Sequence, residues 1–169
     1  MGLFNEVVKG FVNGFVAGVT ENGSVSQSPR GLAAIERLCR ELGWSVDERV
    51  GNHGIVLHFR DPLVNIRKVL VTCGESVASI STFSAATLSS SQVPQEVLGY
   101  LLIRNNELTT AAWRASASDD GSAVFALAYC ALIGGMNAAT FKYICETQVK
   151  EANAFDAKTF FEQQDREKN

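Results

Sequence analysis

The spacing of hydrophobic and polar residues predicts a main domain that begins with a helix and continues with strands. Between residues 30 and 43 the apolar side chains recur every three to four positions, which is typical of an amphipathic helix that ends at Gly43. Three apolar or alternating runs follow, GIVLHFR, IRKVLVTC and VASISTFSA. Their β-branched residues and the turn residues between them predict three consecutive strands.

A second helix and two further strands are predicted after a serine-rich loop. The helix begins near Pro94, because proline suits the first turn of a helix. The runs TTAAWRASA and SAVFALAYCALI predict two strands, and the intervening SDDG is typical of a hairpin, so Asp119 and Asp120 are interpreted as turn residues. Trp113 alternates onto the same face as three alanines, which suits close packing by a helix or, alternatively, contact with a partner.

A long helix is predicted from Asn137, which we interpret as its N-cap. The apolar stripe of this helix reaches Phe155, and we expect a bend or restart near residues 153–156. The order of the domain is therefore α-βββ-α-ββ-α. Segregated helices and hairpin-connected strands predict an α+β fold with an antiparallel sheet.

Residues 1–20 predict an amphipathic helix in front of this domain. One arc of the helical wheel is polar, and the opposite arc carries Phe4, Val7, Val8, Phe11, Val12, Phe15, Val16 and Val19. Lys9 and Asn13 interrupt the apolar run well short of the ~20 residues that a membrane span needs. No positive charge precedes an unbroken apolar run, which argues against a secretory signal.

Three glycines, Gly10, Gly14 and Gly18, form a strip along the border of this helix, beside Phe11 and Phe15. Each glycine costs roughly 1 kcal/mol relative to alanine in a helix interior, and small residues every four positions permit close backbone approach. We therefore interpret the strip as a packing surface. The helix could dock on its own domain or stay partly disordered, contact a helix of another chain, or lie on a membrane surface.

The linker that follows separates this helix from the domain. Residues 21–29, within TENGSVSQSPRG, are rich in glycine, serine, asparagine and glutamine and predict a flexible connection. Residues 30–169 then form a single α+β domain, in keeping with a chain of 169 residues. The formal net charge of −3 argues against nucleic-acid binding, because phosphate contacts need clustered Lys and Arg.

Candidate chemistry is sparse in this sequence. The four cysteines lack paired spacing and stand among apolar residues, so we expect reduced, buried thiols, no zinc, and a cytoplasmic location. His53 and His58 are placed on opposite strand faces, and Asp47 and Glu48 are interpreted as solvated carboxylates. No catalytic triad, GxGxxG or P-loop occurs, and we expect no cofactor and no metal site.

One segment carries a family resemblance. The helix ending LGYLLIRNNEL leads at once into the strand TAAWRAS, the turn DDG, a second apolar strand and a long helix. Leu101, Leu102, Asn105 and Leu108 have the Leu-Leu-x-x-Asn-x-x-Leu spacing of that segment in the YbjN-like proteins of the type III secretion chaperone-like superfamily. Over about residues 30–160 the chain resembles these proteins. Its glycine- and phenylalanine-rich N-terminal helix and its longer last helix depart from the secretion chaperones.

The resemblance implies a small, acidic, cytoplasmic homodimer without catalysis that holds an extended segment of a partner protein. We therefore expect a non-enzymatic protein- or peptide-binding domain, chaperone-like or regulatory. The alternative is an assembly or membrane-peripheral protein that acts through residues 1–20. The candidate contacts with a partner or a second copy are Trp113 and Arg114 in a strand, with Arg104 and Asn105 at the end of the central helix.

Overall fold

The computed structural model describes residues 30–86, 88–117 and 121–167, with side chains described except at Gln92 and residues 160–167. The predicted helix 1–20, its glycine strip and the linker 21–29 lie outside these residues, as do Asp119 and Asp120. The α+β class and the order α-βββ-α-ββ-α are confirmed by the described domain.

The helices of the domain form where the apolar stripes predict them. They are α1, Arg30–Glu41, α2, Gln95–Glu107, and α3, Ala138–Glu167. The side chain of Asn137 accepts a hydrogen bond from the backbone N–H of Thr140 at 2.8 Å, which confirms it as the N-cap of α3. Of the bend or restart expected near residues 153–156, the restart is wrong, because α3 is continuous to Glu167.

The described strands form one antiparallel sheet. They are β1, Glu48–Val50, β2, Gly54–Asp61, β3, Asn65–Cys73, β4, Val77–Phe83, β5, Leu88–Ser89, β6, Ala112–Ala117, and β7, Ser122–Leu132. From one edge of the sheet, neighbouring strands follow the order β1-β2-β3-β4-β7. Because Ala126 of β7 pairs with both Phe83 of β4 and Arg114 of β6, β6 lies on the far side of β7 from β4.

Two short strands escaped prediction from the pattern. β1 has three residues and β5 has two, and neither is long enough to show an alternation. His53 was placed on a strand, which is wrong: it lies in the turn before β2, while His58 is within that strand.

All three described helices lie against one face of the sheet, which we call the helix face. The first cluster of buried residues joins α1 and the first half of α3 to β2, β3 and β4, with Ile35, Val71 and Phe141 fully buried. The second cluster joins α2 and the middle of α3 to β6 and β7, around Phe125 and Phe155. The apolar strand residues that point to the helix face therefore form the core together with the helices.

The opposite side of the sheet, which we call the open face, has no described helix against it. Its buried apolar cluster consists of strand residues only, namely Val56, Leu70, Phe83 and Ala126. Small side chains of β4 and β7 lie beside this cluster and are also buried: Ser79, Ser81 and Ala128. The open face is thus a second apolar surface of the same sheet.

The cysteines divide between these two faces. Cys39, Cys73 and Cys145 are free and buried in the first core cluster, as expected. Burial raises the pKa of Cys39 to about 11 and that of Cys73 to about 12. The prediction that all four are buried is wrong at Cys130, which is exposed because it points to the open face near the end of β7.

Candidate protein-binding site

The central helix α2 and the edge strand β6 form a unit held together by Asn105. The side chain of Asn105 accepts a hydrogen bond from the N–H of Trp113 at 2.5 Å and donates one to its C=O at 3.0 Å. The backbone groups of Trp113 therefore point away from β7, toward the free edge of the sheet. At this position the amide of Asn105 takes the place of a neighbouring strand.

An ion pair between α2 and α3 closes the same unit. Arg104 donates to both carboxylate oxygens of Glu151, at 2.8 and 2.7 Å, and also pairs with Glu107. The indole N–H of Trp113 lies 3.4 Å from Glu151. The hydrogen bonds from Arg104 lower the pKa of Glu151 and outweigh its partial burial, and the same contacts raise the pKa of Arg104.

The predicted contact residues thus fall into two groups. Trp113 is buried, its ring lies 4.7 Å from that of Phe155, and the close packing by a helix is confirmed. Arg104 and Asn105 are half-buried and serve the α2–β6–α3 unit. Arg114 is exposed on the open face of β6. A role of any of the four in partner contact stays a prediction.

An exposed apolar stripe on α2 was not predicted from the sequence. Leu98, Leu102 and Ile103 are 42%, 72% and 63% exposed, while Val97 and Leu101 on the other side of the helix are buried. Gly99 lies within this stripe, and no heavy atom would come within 4 Å of a Cβ placed there. The signal was present in the sequence, because α2 is apolar on both sides, whereas a helix on the surface of a monomer needs only one apolar side.

The free edge of β6 is open beyond Asn105. Alternation along the strand directs the N–H and C=O of Ala115 to the same edge as those of Trp113. No backbone partner for Ala115 at this edge occurs among the described residues. Ala115, Ser116 and Ala117 are exposed, so this half of β6 is accessible from the side.

A buried charge cluster on the helix face was not predicted. Arg67 of β3 is 2% exposed and donates to Asp61 of β2 at 2.9 Å and to Asp156 of α3 at 2.6 Å. It also donates to Asn153 at 3.1 Å and to the carbonyl of Phe83 at 3.0 Å. A bend or restart was expected near these residues of α3, whereas the side chains of Asn153 and Asp156 anchor α3 to the sheet.

The electrostatics of this cluster are those of a structural ion pair network. Burial alone would raise the pKa of Asp61, but the N–H groups of Leu63 and Val64 and the guanidinium of Arg67 outweigh it and lower that pKa. Asp156 accepts further hydrogen bonds from Ser84 and from the N–H of Ala85. Each carboxylate is therefore held in place by several donors, which suits a fixed support for α3.

Asp47 and Glu48 were interpreted as solvated, which is only partly right. Glu48 accepts hydrogen bonds from Lys68 at 2.6 Å and from His58 at 3.1 Å, and Asp47 accepts from the backbone N–H of His58 at 2.8 Å. The contact with Lys68 is the main cause that lowers the pKa of Glu48. These carboxylates fasten β1 to β2 and β3.

Across the described ranges, no group of three or more His, Cys, Asp or Glu side chains is arranged to hold a metal ion. No helix in the same part of the chain combines the length and the apolar character needed to cross a membrane.

Comparison with known proteins identifies the fold. The chain matches YbjN from E. coli with a TM-score of 0.59 and 15% identity, over 83% of this chain and 97% of YbjN. It matches an uncharacterised protein from Methanothermobacter thermautotrophicus with a TM-score of 0.52 and 10% identity, over 80% and 98% of the two chains. SchA, from the HopA1–SchA chaperone–effector complex, matches with a TM-score of 0.50 and 10% identity, over 79% and 99%.

No family model matches the chain, and no curated protein matches it in sequence. The domain nevertheless has a fold like that of YbjN and of the chaperone SchA, which confirms the YbjN-like fold expected from the sequence. At 10 to 15% identity these likenesses establish the fold alone.

Proposed function

We propose that this protein is a non-enzymatic, homodimeric protein-binding domain of the cytoplasm. The observation that carries the proposal is the exposed stripe of Leu98, Leu102 and Ile103 on α2. Three neighbouring large apolar side chains on one helix face mark an interaction surface, since scattered single residues are the norm on a monomer. The likeness to SchA, which occurs in a chaperone–effector complex, supports a protein as the ligand.

A second copy of the chain is the occupant that best fits this stripe. Between the large side chains lies Gly99, and the flanking positions on the same face are Gln95 and Asn106. The stripe itself has no charged residue, and Glu107, one turn after Ile103, is paired with Arg104, so a two-fold contact that brings the stripe against itself places no unpaired like charges together. The glycine also permits the two helices to approach closely at the centre of the contact.

A partner segment fits the edge of β6 beside this dimer contact. The N–H and C=O of Ala115 point out of the sheet edge, and an extended peptide can add to such an edge as a further strand. The chaperone-like fold supports this mode of binding, in which the partner contributes backbone hydrogen bonds and the domain contributes a preformed sheet.

Light scattering and analytical ultracentrifugation of the full chain test the dimer. We expect the wild-type chain to be dimeric at about 10 µM, a concentration at which stable dimers persist. Leu102→Lys places a charge in the contact and should give monomers. The matched control is Leu63→Lys, because Leu63 is 47% exposed in the β2–β3 turn, far from α2 in the sequence.

The control should leave the mass unchanged. A monomeric wild-type chain, or a Leu102→Lys variant that dimerises as tightly as the parent, contradicts the proposed homodimer.

The β6 edge is tested by a substitution that removes one backbone donor. Ala115→Pro eliminates an N–H that faces away from β7, so the ladder with β7 is kept. A partner is first captured from the host with the wild-type chain. Its binding segment is then mapped and made as a synthetic peptide. Calorimetry should then show binding about tenfold weaker or worse for Ala115→Pro than for Ala115→Ser. Equal affinities would exclude strand addition at this edge.

A further inference from the structure

The open face of the sheet is buried without a described element to bury it. Ser81 is 1% exposed and Ala128 is 3% exposed, although both side chains point away from α1, α2 and α3. Leu70, which neighbours Ser81 across the strands, is likewise 1% exposed. The cluster around Leu70 contains residues of strands only.

Neighbouring side chains cannot produce this burial by themselves. Side chains stand roughly perpendicular to a sheet, and adjacent strands are about 4.8 Å apart. A serine or an alanine is shorter than the leucine beside it, so its outer surface remains open to water unless something lies on top of it. The row that contains Leu70, Ser81 and Ala128 therefore needs a covering layer.

The length of chain outside the described residues indicates where this layer comes from. Those residues are 1–29, Thr87, 118–120 and 168–169. A single residue, a hairpin tip and a two-residue terminus are too short to cover several strands. Only the N-terminal 29 residues have the length, and their first 20 carry the phenylalanine- and valine-rich arc.

We propose that residues 1–20 lie on the open face of the sheet of their own chain, with the phenylalanine and valine arc directed toward the strands. The fit is chemical: large side chains such as Phe11 and Phe15 suit a surface whose centre, at Ser81 and Ala128, is made of small residues. Burying several such side chains removes apolar surface from water, which stabilises the contact.

The dimensions agree with this placement. A helix of 20 residues is about 30 Å long. The sheet from β1 to β6 has five inter-strand spacings, β1-β2-β3-β4-β7-β6, which amount to about 24 Å. One such helix is therefore long enough to cross the whole open face.

The linker is long enough for docking within one chain. At the start of α1, a Cβ on Gly31 would overlap the carbonyl oxygen of Gly74, which places this helix end directly at the β3–β4 turn. Residues 21–29 span up to about 30 Å when extended. Packed layers of a protein lie about 10 Å apart, so a segment of this length can pass the β3–β4 turn within one chain.

The proposal does not depend on the proposed dimer, because α2 lies on the helix face. It assigns the N-terminal segment to a sheet face of its own domain, one of the placements that the sequence pattern left open, rather than to a contact of Gly10, Gly14 and Gly18 with another helix. The glycine strip then lies at the margin of the contact.

Site-specific photo-crosslinking in the full-length protein tests the location. With benzoylphenylalanine in place of Phe15, mass spectrometry should find crosslinks to peptides that contain Leu70, Ser81 or Ala128. The same amino acid in place of Asn13, on the polar arc, should give about tenfold fewer crosslinks to them. Crosslinks to α1, α2 or α3, or no crosslinks from position 15, overturn the proposal.

An isotope-mixing arm separates docking within a chain from exchange between chains. Labelled and unlabelled proteins are mixed before illumination, and docking within one chain gives no crosslinked pair of mixed labels. Mixed pairs at the expected frequency would show that a second copy supplies the segment, which overturns the assignment to the same chain.

The reactivity of an introduced thiol measures independently whether residues 1–20 cover the open face. In a Cys130→Ser background, Ser81→Cys should react slowly with a maleimide, and the double substitution Phe11→Asp, Phe15→Asp should speed the reaction about tenfold or more. The control is Ser116→Cys, exposed on the open face of β6, which should react equally fast in both proteins. An unchanged rate at Ser81→Cys contradicts the proposal.

Discussion

At the scale of single residues, the most informative side chain is Asn105. It lies at the end of α2 and replaces a strand neighbour for Trp113, with hydrogen bonds of 2.5 and 3.0 Å. The sequence singled out this residue for its spacing within LLIRNNEL, and a partner contact was expected. The structure gives it an internal role that explains why an amide is needed: only a side chain with both a donor and an acceptor can match one residue of a strand edge.

Replacing Asn105 tests this role. Asn105→Ala leaves two backbone groups of the edge strand without their partner, and we expect the free energy of unfolding to fall by about 1–2 kcal/mol. Urea denaturation followed by tryptophan fluorescence measures the change. The control is Asn106→Ala, because Asn106 is its exposed neighbour, and it should change stability by less than about 0.5 kcal/mol. Equal effects of the two substitutions would exclude a stabilising role for the hydrogen bonds between Asn105 and Trp113.

Asp61 gives the domain a defined response to acid. Its folded-state pKa is lowered from the ordinary value of 3.8 by hydrogen bonds and by Arg67. Its stabilising contribution is therefore complete above that ordinary value and is lost as the pH falls through the lower, folded-state pKa. Asp61→Asn should reduce stability by about 2 kcal/mol at neutral pH, because Arg67 loses a charged partner.

The pH dependence distinguishes this electrostatic role from a general loss of packing. Between about pH 5 and pH 2 the wild-type chain should lose stability more steeply than Asp61→Asn, since the variant has one fewer carboxylate to protonate. Parallel curves of unfolding free energy against pH would show that the charge of Asp61 does not contribute.

At the scale of elements, α2 has two apolar sides with different partners. Val97 and Leu101 pack into the second core cluster, and Leu98, Leu102 and Ile103 face outward. This explains why the helix was easy to predict and its role was not. The sequence shows that the helix has apolar residues on two sides, but it cannot show which side the domain itself covers.

The glycine in the outward stripe provides the element-scale prediction. In an isolated domain Gly99→Ala should raise stability by about 1 kcal/mol, because alanine favours the helix and the site is open. If two copies of α2 meet at this residue, Gly99→Leu should weaken the dimer about tenfold or more while the monomer remains folded. Sedimentation and thermal unfolding measured on the same samples separate the two effects. An unchanged dimer would place the contact elsewhere.

At the scale of the whole molecule, the sheet separates two environments. The helix face holds the core and the buried cysteines, and the open face holds a smaller cluster and the exposed Cys130. Burial also raises the pKa of Cys145, so the three buried thiols are poor nucleophiles as well as inaccessible.

Alkylation under native conditions follows from this arrangement. We expect Cys130 alone to react within minutes with a small maleimide at neutral pH, and the other three cysteines to react only after denaturation. Peptide mapping by mass spectrometry assigns the modified residue, and Cys130→Ser should abolish the fast reaction. Rapid modification of Cys39, Cys73 or Cys145 in the folded protein would contradict the burial of these thiols on the helix face.

The sequence by itself determined the helices and the longer strands of the described domain. The helix stripes and strand alternations depend on side chains a few positions apart, and a single chain shows these directly. The order of elements fixed the fold class, and the segment LLIRNNEL with its following strand pointed to the YbjN-like fold. The N-cap at Asn137 was also predictable, because it needs only the helix that it begins.

Tertiary structure alone decided which predicted surfaces are occupied. Arg67 is separated from Asp156 by 89 positions, so no local pattern could reveal their ion pair. For the same reason the sequence suggested a restart of the helix near residues 153–156, where the structure has an anchor of α3 to the sheet. Cys130 stands in an apolar run yet points outward, because burial depends on what lies above a strand. The sequence specifies each apolar face, whereas long-range packing determines which of these faces the domain covers and which remain for another copy or a partner.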